Sequence, residues 1–165
     1  MTHFRFAADF ATDAETYWSV FFDEPYNVAL YQRIGVKERR MLERKEDEQT
    51  ISWQVRIMPD RDLPSFVQKI VGGDLGYVEI STYRKGQNRI DTRVEPTLMR
   101  EKTKINAVYT LTTHGARVQR VFEGDIAISL PFIGRKVEEF IVADMGRAYE
   151  TTARFTTEWL AKRPR

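Results

Sequence analysis

Two histidines, His3 and His114, are the candidates in this sequence for the base of a nucleophilic triad. A nucleophilic triad needs a histidine held beside both a nucleophile and an orienting acid. His3 lies close to the first residue and His114 stands in a predicted turn, so we expect both rings to be solvated. The chain contains no cysteine, which excludes disulfides, thiol nucleophiles and cysteine metal sites.

Acidic residues and glycines are grouped at three places without the spacing of a metal or phosphate site. The carboxylates within 43–48 and those of Asp60 and Asp62 lack the EF-hand pattern, and there is no HExxH sequence. They are typical of solvated turns. The segment 72–76 lacks Walker A and dinucleotide spacing and indicates a helix end followed by a turn. We therefore expect no metal and no bound cofactor.

Two charged residues fall on otherwise apolar faces. Arg120 alternates with Val118 and Phe122 in a predicted strand. Asp144 lies about 45° from the centre of the apolar stripe of a predicted helix, at ~100° per residue. A buried charge must be paired or hydrogen-bonded. Either these side chains orient the polar end of a ligand, or they pair with each other or extend to the rim. Acid–base catalysis by Asp144 is a further hypothesis.

The element that positions Asp144 is a long amphipathic helix predicted over Pro131–Lys162. Apolar or small residues recur there at steps of three or four, which is the period of one helical face. They are Ile133, Val137, Ile141, Met145, Ala148, Thr152, Phe155 and Trp159. Charged residues occupy the opposite face, and Gly146 also falls there, where either a mild bend or a function would explain it.

Strands and short helices are predicted before the long helix. Thr2–Phe10 alternates as a half-buried strand, and a capping box of Thr12 and Glu15 begins a helix that runs through Phe22. A second short helix is predicted over Tyr26–Arg33. The helix Ser65–Val71, after Pro64, would be either a lid or a packed connector.

The remaining segments have the period of strands joined by hairpins. They are Val36–Arg44, Gln49–Met58, Leu75–Arg84, Asn88–Leu98, Lys102–Thr113 and Ala116–Leu130. The charged stretch Lys37–Glu48 is interpreted as a solvated outer strand, and Pro96 suits a sheet edge or a bulge. Strands and long helices do not alternate, which argues against a parallel sheet. The sequence predicts an α+β fold, a curved antiparallel sheet of about seven strands covered by the C-terminal helix.

The composition is that of one folded domain over residues 1–165, with 42% hydrophobic and 30% charged residues. The net charge is +2 and acids and bases are interleaved, which argues against nucleic-acid binding. No apolar run approaches the ~18 residues of a membrane span, and the N-terminal segment lacks the apolar stretch of a signal peptide. We expect a cytoplasmic protein, and nothing in the sequence indicates an oligomer.

This order of elements is similar to the helix-grip fold of the START and birch-pollen-allergen superfamily (SRPBCC). The segment 130–138, LPFIGRKVE, resembles the strand-to-helix junction of a bacterial family of unknown function within that superfamily, and the short helix after Pro64 fits the same family. The resemblance implies a cavity between sheet and long helix for an apolar or amphipathic small molecule. It implies no fixed catalytic set.

Aromatic residues make up 12% of the chain, and many fall on predicted inner faces, where they would line a cavity or simply fill the core. The candidate cavity residues are Trp53, Tyr77, Tyr109, Arg120, Phe122, Ile141, Asp144, Met145, Ala148 and Phe155. Three functions remain open. They are the binding of a lipid-like or polycyclic molecule, a cyclase-, aromatase- or hydrolase-type activity that uses the polar members of this set, and a ligand-free interaction module.

Overall fold

Seven antiparallel strands form one sheet in the computed structural model, which describes residues 1–60, 62–73 and 75–163. The strands are β1 (Thr2–Phe10), β2 (Val36–Glu46), β3 (Thr50–Pro59), β4 (Tyr77–Arg84), β5 (Arg89–Pro96), β6 (Thr103–His114) and β7 (Arg117–Ile128). The helices are α1 (Ala14–Phe21), α2 (Glu24–Ile34), α3 (Ser65–Val71) and α4 (Gly134–Lys162), and a 3-10 turn covers Arg100–Lys102. The predicted α+β class, strand number and element order are confirmed.

The strand order is β1-β7-β6-β5-β4-β3-β2. β1 therefore pairs with the last strand, β7, and strands β2 to β7 follow one another as a meander. Phe6 of β1 lies opposite Phe122 of β7, and Tyr109 of β6 lies opposite Phe122 on the other side. α4 packs against β1, β7 and α2. Among the described residues, no helix is long and apolar enough to cross a membrane.

A single helix is too narrow to cover this sheet. Seven strands at about 4.8 Å spacing are roughly 29 Å across, whereas a helix with its side chains is about 10–12 Å wide. α4 therefore covers β1 and β7, and α1, α2 and α3 contribute the rest of the layer over the sheet. The packing leaves a space beside α4, over β2 to β5, and this space is the candidate site described below.

Two clusters of buried side chains close the ends of the layer. At one end Phe10, Tyr17 and Trp18 pack with Tyr83 and Leu111. At the other end a second cluster packs the start of α4 against the sheet, and it contains Ile105, Ile126, Ile128 and Val137. The apolar face predicted for α4 accounts for the second cluster, while the first depends on side chains from α1.

The long helix begins three residues later than predicted. Pro131 and Phe132 lie in a turn, where Phe132 has a φ of 66° and is fully exposed, and Ile133 is the N-cap. Gly134 approaches β7 so closely that a Cβ there would overlap the carbonyl oxygen of Ile128. The chain must turn sharply off β7 before it can become helical, which delays the start of α4.

Gly146 does not lie on the outer face of α4, so that prediction was wrong. A Cβ at Gly146 would come 3.2 Å from Cε1 of Phe6, which is tighter than ordinary van der Waals contact. The sheet curves around α4 and β1 meets the flank of the helix, so the buried surface of α4 is wider than the predicted stripe. The glycine permits this close approach of α4 to β1.

Pro96 lies at the end of an inner strand, which corrects its predicted place at a sheet edge or bulge. β5 runs between β4 and β6. Pro96 pairs with Tyr77 of β4, whereas the ladder to β6 stops at Val94. The missing N–H of proline therefore removes no hydrogen bond to β6.

Asp13, not Thr12, caps α1. Its carboxylate accepts a hydrogen bond from the Thr16 backbone N–H at 2.7 Å and a second from the Thr16 hydroxyl at 3.1 Å. The backbone bond, followed by the hydroxyl bond, lowers the pKa of Asp13. The Thr12 N–H instead closes a turn onto the Phe10 carbonyl oxygen. An anionic cap at the positive end of the helix dipole is favoured over a neutral hydroxyl.

We expect Asp13→Ala to lower the free energy of unfolding by about 1 kcal/mol, the usual contribution of an N-cap. Urea unfolding followed by circular dichroism would measure this. The matched control is Thr12→Ala, which should change stability by less than about 0.5 kcal/mol. The opposite ranking of the two variants would contradict the assigned cap.

Candidate functional site

A cavity with a volume of about 340 Å³ lies between α4 and the sheet. This volume is within the range of about 300–1,000 Å³ that is usual for small-molecule sites. Its walls are formed by the helices α1 to α4, with α1 contributing Phe21, and by the inner faces of β2 to β7, with β2 to β5 contributing most of the sheet side. Most of the side chains in the wall are apolar, so the space is suited to an apolar or amphipathic molecule.

Nine of the ten candidate residues lie on the wall of this cavity. From the sheet these are Trp53, Tyr77, Tyr109, Arg120 and Phe122, and from α4 they are Ile141, Asp144, Met145 and Ala148. Phe155 lies elsewhere. Its ring packs on Tyr26 and Trp159 at centroid distances of 5.6 and 5.7 Å, because that part of α4 is covered by α2. The helical period placed Phe155 on the inner face, but it could not show that α2 covers it.

Arg120 is the charged group that two tyrosines hold in the interior. Nε donates to the Tyr149 hydroxyl oxygen and Nη1 donates to that of Tyr17, both at 3.0 Å. The Tyr149 hydroxyl in turn donates to the Arg120 carbonyl oxygen at 3.1 Å. Only 3% of the arginine is exposed. The guanidinium therefore has a fixed position, set by α1 and α4 together.

Asp144 has a different partner from the one that the sequence suggested. Its carboxylate pairs with Arg147, one turn further along α4, at 3.3 Å. The Asp144 side chain is 13% exposed while that of Arg147 is 65% exposed. Arg120 is thus hydrogen-bonded to two phenols, and Asp144 is paired with a surface arginine. This differs from the predicted alternative in which Arg120 and Asp144 pair with each other.

Glu79 is a cavity residue that the sequence analysis missed. It alternates with Tyr77 and Ser81 along β4, and all three line the cavity. Desolvation raises the pKa of Glu79 to about 7, and the charge of Arg39 opposes this shift. The signal for Glu79 in the sequence is its alternation with Tyr77, a candidate cavity residue. This signal is weak because β4 contains other polar residues.

Arg39 corrects the prediction that β2 is simply a solvated outer strand. Most of β2 is exposed, but the Arg39 side chain is only 15% exposed and lines the cavity. Its guanidinium lies over the ring of Tyr31, 4.9 Å from the centroid, and Nη1 donates to Glu24 at 3.4 Å. Arg39 and Glu79 together form a second polar region of the wall, apart from Arg120 and its two tyrosines.

The short helix α3 is part of the wall. Val67 is fully buried, and Ile70 and Val71 line the cavity beside it. Phe66 packs edge-on against Phe140 of α4 with ring centroids 6.2 Å apart. These contacts favour the packed connector over the lid.

Within the part of the chain that the structure describes, no three His, Asp or Glu side chains form a group that could hold a metal ion. His3 lies 3.1 Å from Asp125 on the outer face of the β1–β7 pair, and His114 ends β6 in an exposed turn. Both histidines are exposed, as predicted, and neither lines the cavity.

Glu79 should make stability fall as the pH rises from 4.5 to 7. Its folded-state pKa of about 7 exceeds the ordinary value of 4.5, so the folded protein binds the proton more tightly than the unfolded chain does. This contribution to the free energy of unfolding is complete below pH 4.5 and is lost as the pH rises through 7. It amounts to up to about 3 kcal/mol, at 1.36 kcal/mol per pKa unit. Glu79→Gln should remove this loss when urea unfolding is measured at several pH values.

The matched control for Glu79→Gln is Glu48→Gln, because Glu48 is exposed in the turn between β2 and β3. The control should keep the pH dependence of the wild-type protein. Parallel stability curves for wild type and Glu79→Gln between pH 4.5 and 7 would contradict the placement of Glu79 in a poorly solvated cavity.

Structural comparisons assign the class of this fold. The Zhui aromatase/cyclase from Streptomyces sp. R1128 superposes with a TM-score of 0.70 at 17% identity, over 99% of this chain and 96% of that one. A START superfamily protein from Mycobacterium smegmatis gives 0.61 at 17% identity, over 97% of each chain. Norcoclaurine synthase from Thalictrum flavum, in complex with dopamine and hydroxybenzaldehyde, gives 0.65 at 8% identity over 99% and 89%. The chain therefore has the START-like helix-grip fold.

The family follows from the sequence itself. Residues 5–160 match the model of the protein family of unknown function DUF2505. The match covers nearly the whole chain, so the protein belongs to that family. A comparison with curated proteins finds no matching sequence.

Proposed function

We propose that this protein binds one apolar or amphipathic small molecule in the cavity beside α4. The observation that carries the proposal is the cavity itself, a space of about 340 Å³ with a mostly apolar wall. Protein interiors are normally packed as densely as organic crystals, so an internal space of this size is unusual unless something occupies it. A few polar groups on an apolar wall are the usual composition of a small-molecule site.

The residues on the two sides of the cavity support a flat or flexible apolar ligand. α4 contributes Ile141, Met145 and Ala148, which carry no hydrogen-bonding groups in their side chains. From the sheet, Tyr109 stacks on Phe122 with ring centroids 4.0 Å apart, so this part of the wall is rigid. The norcoclaurine synthase with the same fold holds dopamine and hydroxybenzaldehyde, which are small aromatic molecules.

The neutral fluorescent probe N-phenyl-1-naphthylamine tests this proposal. Its emission should rise on titration into the purified protein and saturate at about one probe per chain, as expected for a single cavity. Mass spectrometry of the denatured protein should then identify any molecule carried through purification. A signal that does not saturate, or that appears only when the protein is unfolded, would contradict an internal site.

An acid–base reaction on the bound molecule is the second candidate, and Glu79 is the observation that favours it. With a pKa of about 7, this carboxyl is present in both protonation states at neutral pH and faces the cavity. Such a group can take up and return a proton, which is what a general acid–base catalyst does. The Zhui aromatase/cyclase shows that the fold accommodates an enzyme.

Deuterium exchange tests this second candidate. The ketone 2-tetralone, incubated with the protein in D₂O, would exchange the protons next to its carbonyl faster than in buffer if Glu79 removes and returns them. Proton NMR measures the rate. Glu79→Gln should abolish the acceleration while N-phenyl-1-naphthylamine still binds. Exchange no faster than in buffer, or equal exchange by wild type and variant, would contradict this role of Glu79.

A further inference from the structure

Arg120 carries a buried charge that no neighbour among the described residues neutralises. Its hydrogen bonds go to two hydroxyl groups, those of Tyr17 and Tyr149. Burial raises the pKa of Tyr17 to about 12, against the effect of Arg120, so the phenol stays neutral at physiological pH. Nη2 is buried and makes no hydrogen bond to any described residue. An arginine keeps its charge under these conditions.

The acids in the cavity wall have other cationic neighbours. Glu24 pairs with Arg39, and the charge of Arg39 also acts on Glu79. Asp144 pairs with Arg147. Arg120 instead has aromatic neighbours, with its guanidinium carbon 5.0 Å from the centroid of Phe10 and 4.6 Å from that of Tyr149.

Hydroxyls and ring faces compensate a buried guanidinium only in part. Cation–π contacts and neutral hydrogen bonds are weaker than a charge-assisted bond to a carboxylate. A buried cation without an anion is costly, and a folded protein keeps one chiefly where a partner will supply the opposite charge. Tyr17 and Tyr149 hold the guanidinium in place, so the cation is already oriented before a ligand enters.

We propose that the ligand of the cavity is an amphipathic acid, whose carboxylate lies beside Arg120 and whose apolar body lies against Ile141, Met145 and Ala148. This inference rests on the proposed function and adds the charge of the ligand to it. Arginine is suited to the role because its planar fork of N–H donors matches the two oxygens of a carboxylate. The apolar body is either an alkyl chain or an aromatic ring system, and the probes below distinguish the two.

The test compares acids with neutral amides of the same shape. Dodecanoic acid with dodecanamide, and 2-naphthoic acid with 2-naphthamide, would each compete with N-phenyl-1-naphthylamine near neutral pH. The wild-type protein should bind the acid of at least one pair more tightly than its amide by about tenfold or more, the effect expected of a hydrogen bond to a charged group. The pair that binds more tightly identifies the apolar body as alkyl or aromatic.

Arg120→Met should abolish the preference for the acid over the amide, so that the two bind with equal affinity. The matched control is Arg154→Met, because Arg154 is an exposed arginine on the same helix as the cavity residues. The control should keep the preference of the wild-type protein. Equal binding of acid and amide by the wild-type protein, or a preference that persists in Arg120→Met, would overturn the proposal while leaving the binding function intact.

A measurement on the wild-type protein keeps the proposal testable if Arg120→Met fails to fold. Carboxyl-labelled ¹³C dodecanoic acid or 2-naphthoic acid, bound to the protein, is titrated by NMR. A carboxylate beside Arg120 should show a pKa below that of the free acid, because the nearby cation favours the charged form. A bound acid with a raised pKa would overturn the proposal, since it would lie in an apolar space away from the cation. Failure of N-phenyl-1-naphthylamine and of every acid and amide to bind would overturn the proposed function itself.

Discussion

Ala148→Phe should abolish binding of N-phenyl-1-naphthylamine without unfolding the protein. Ala148 lies on α4 in the cavity wall, so a phenyl group at this position would occupy the space that the ligand needs. We expect the affinity for the probe to fall by about a hundredfold or more, because the probe and the new phenyl group cannot both fit within a tightly packed wall. Stability should be unchanged or rise by about 0.5–2 kcal/mol, as is common when a cavity is filled.

The matched control for this experiment is Ala143→Phe. Ala143 is an exposed residue of α4, so the same substitution is made on the same helix but away from the cavity. The control should bind the probe as the wild-type protein does. Undiminished binding by a folded Ala148→Phe variant would show that the probe binds outside the cavity.

Gly124→Ala should be the most destabilising of the substitutions considered. Gly124 of β7 lies between Phe4 of β1 and Ala107 of β6. A Cβ here would overlap the Asn106 carbonyl oxygen and lie 2.7 Å from Cα of Ala107, both of which are backbone atoms. Backbone cannot move aside as a side chain does, so we expect a loss of about 3 kcal/mol or more, measured by urea unfolding.

Gly124 lies inside a strand of the sheet, and a glycine at such a place is one device by which a sheet bends sharply. The control is Gly73→Ala, whose Cβ would be in ordinary contact with Leu98 at 3.7 Å. Its stability should change by less than about 1 kcal/mol. Equal stability of the two variants would contradict the close approach of β7 to β6.

The periodicity of α4 and of the strands indicated nine of the residues that line the cavity. Ile141, Met145 and Ala148 recur at helical spacing, and Arg120 alternates with Phe122 in a strand. These are local patterns, and the sequence displays them directly. The resemblance to the helix-grip fold then supplied the arrangement in which helix and sheet face each other across a cavity.

Contacts between distant parts of the chain could not be predicted in the same way. Arg120 is held by Tyr17 from α1 and Tyr149 from α4, and neither pairing leaves a local signature. Gly146 and Phe155 show the same limit, because the segments that cover them, β1 and α2, are far away in sequence. Glu79 could have been found, since it alternates with Tyr77 and Ser81, but its raised pKa depends on enclosure by the folded protein.

The most direct test of the central claim is to map where N-phenyl-1-naphthylamine binds. Two-dimensional ¹H–¹⁵N NMR spectra of the labelled wild-type protein, recorded during a titration, would show which residues sense the probe. The largest shifts should cluster at the cavity wall, at Trp53, Tyr109, Met145 and Ala148, which come from three different elements. Shifts confined to exposed surfaces such as the turn around Phe132, or a spectrum unchanged at saturating probe, would contradict an internal ligand-binding site.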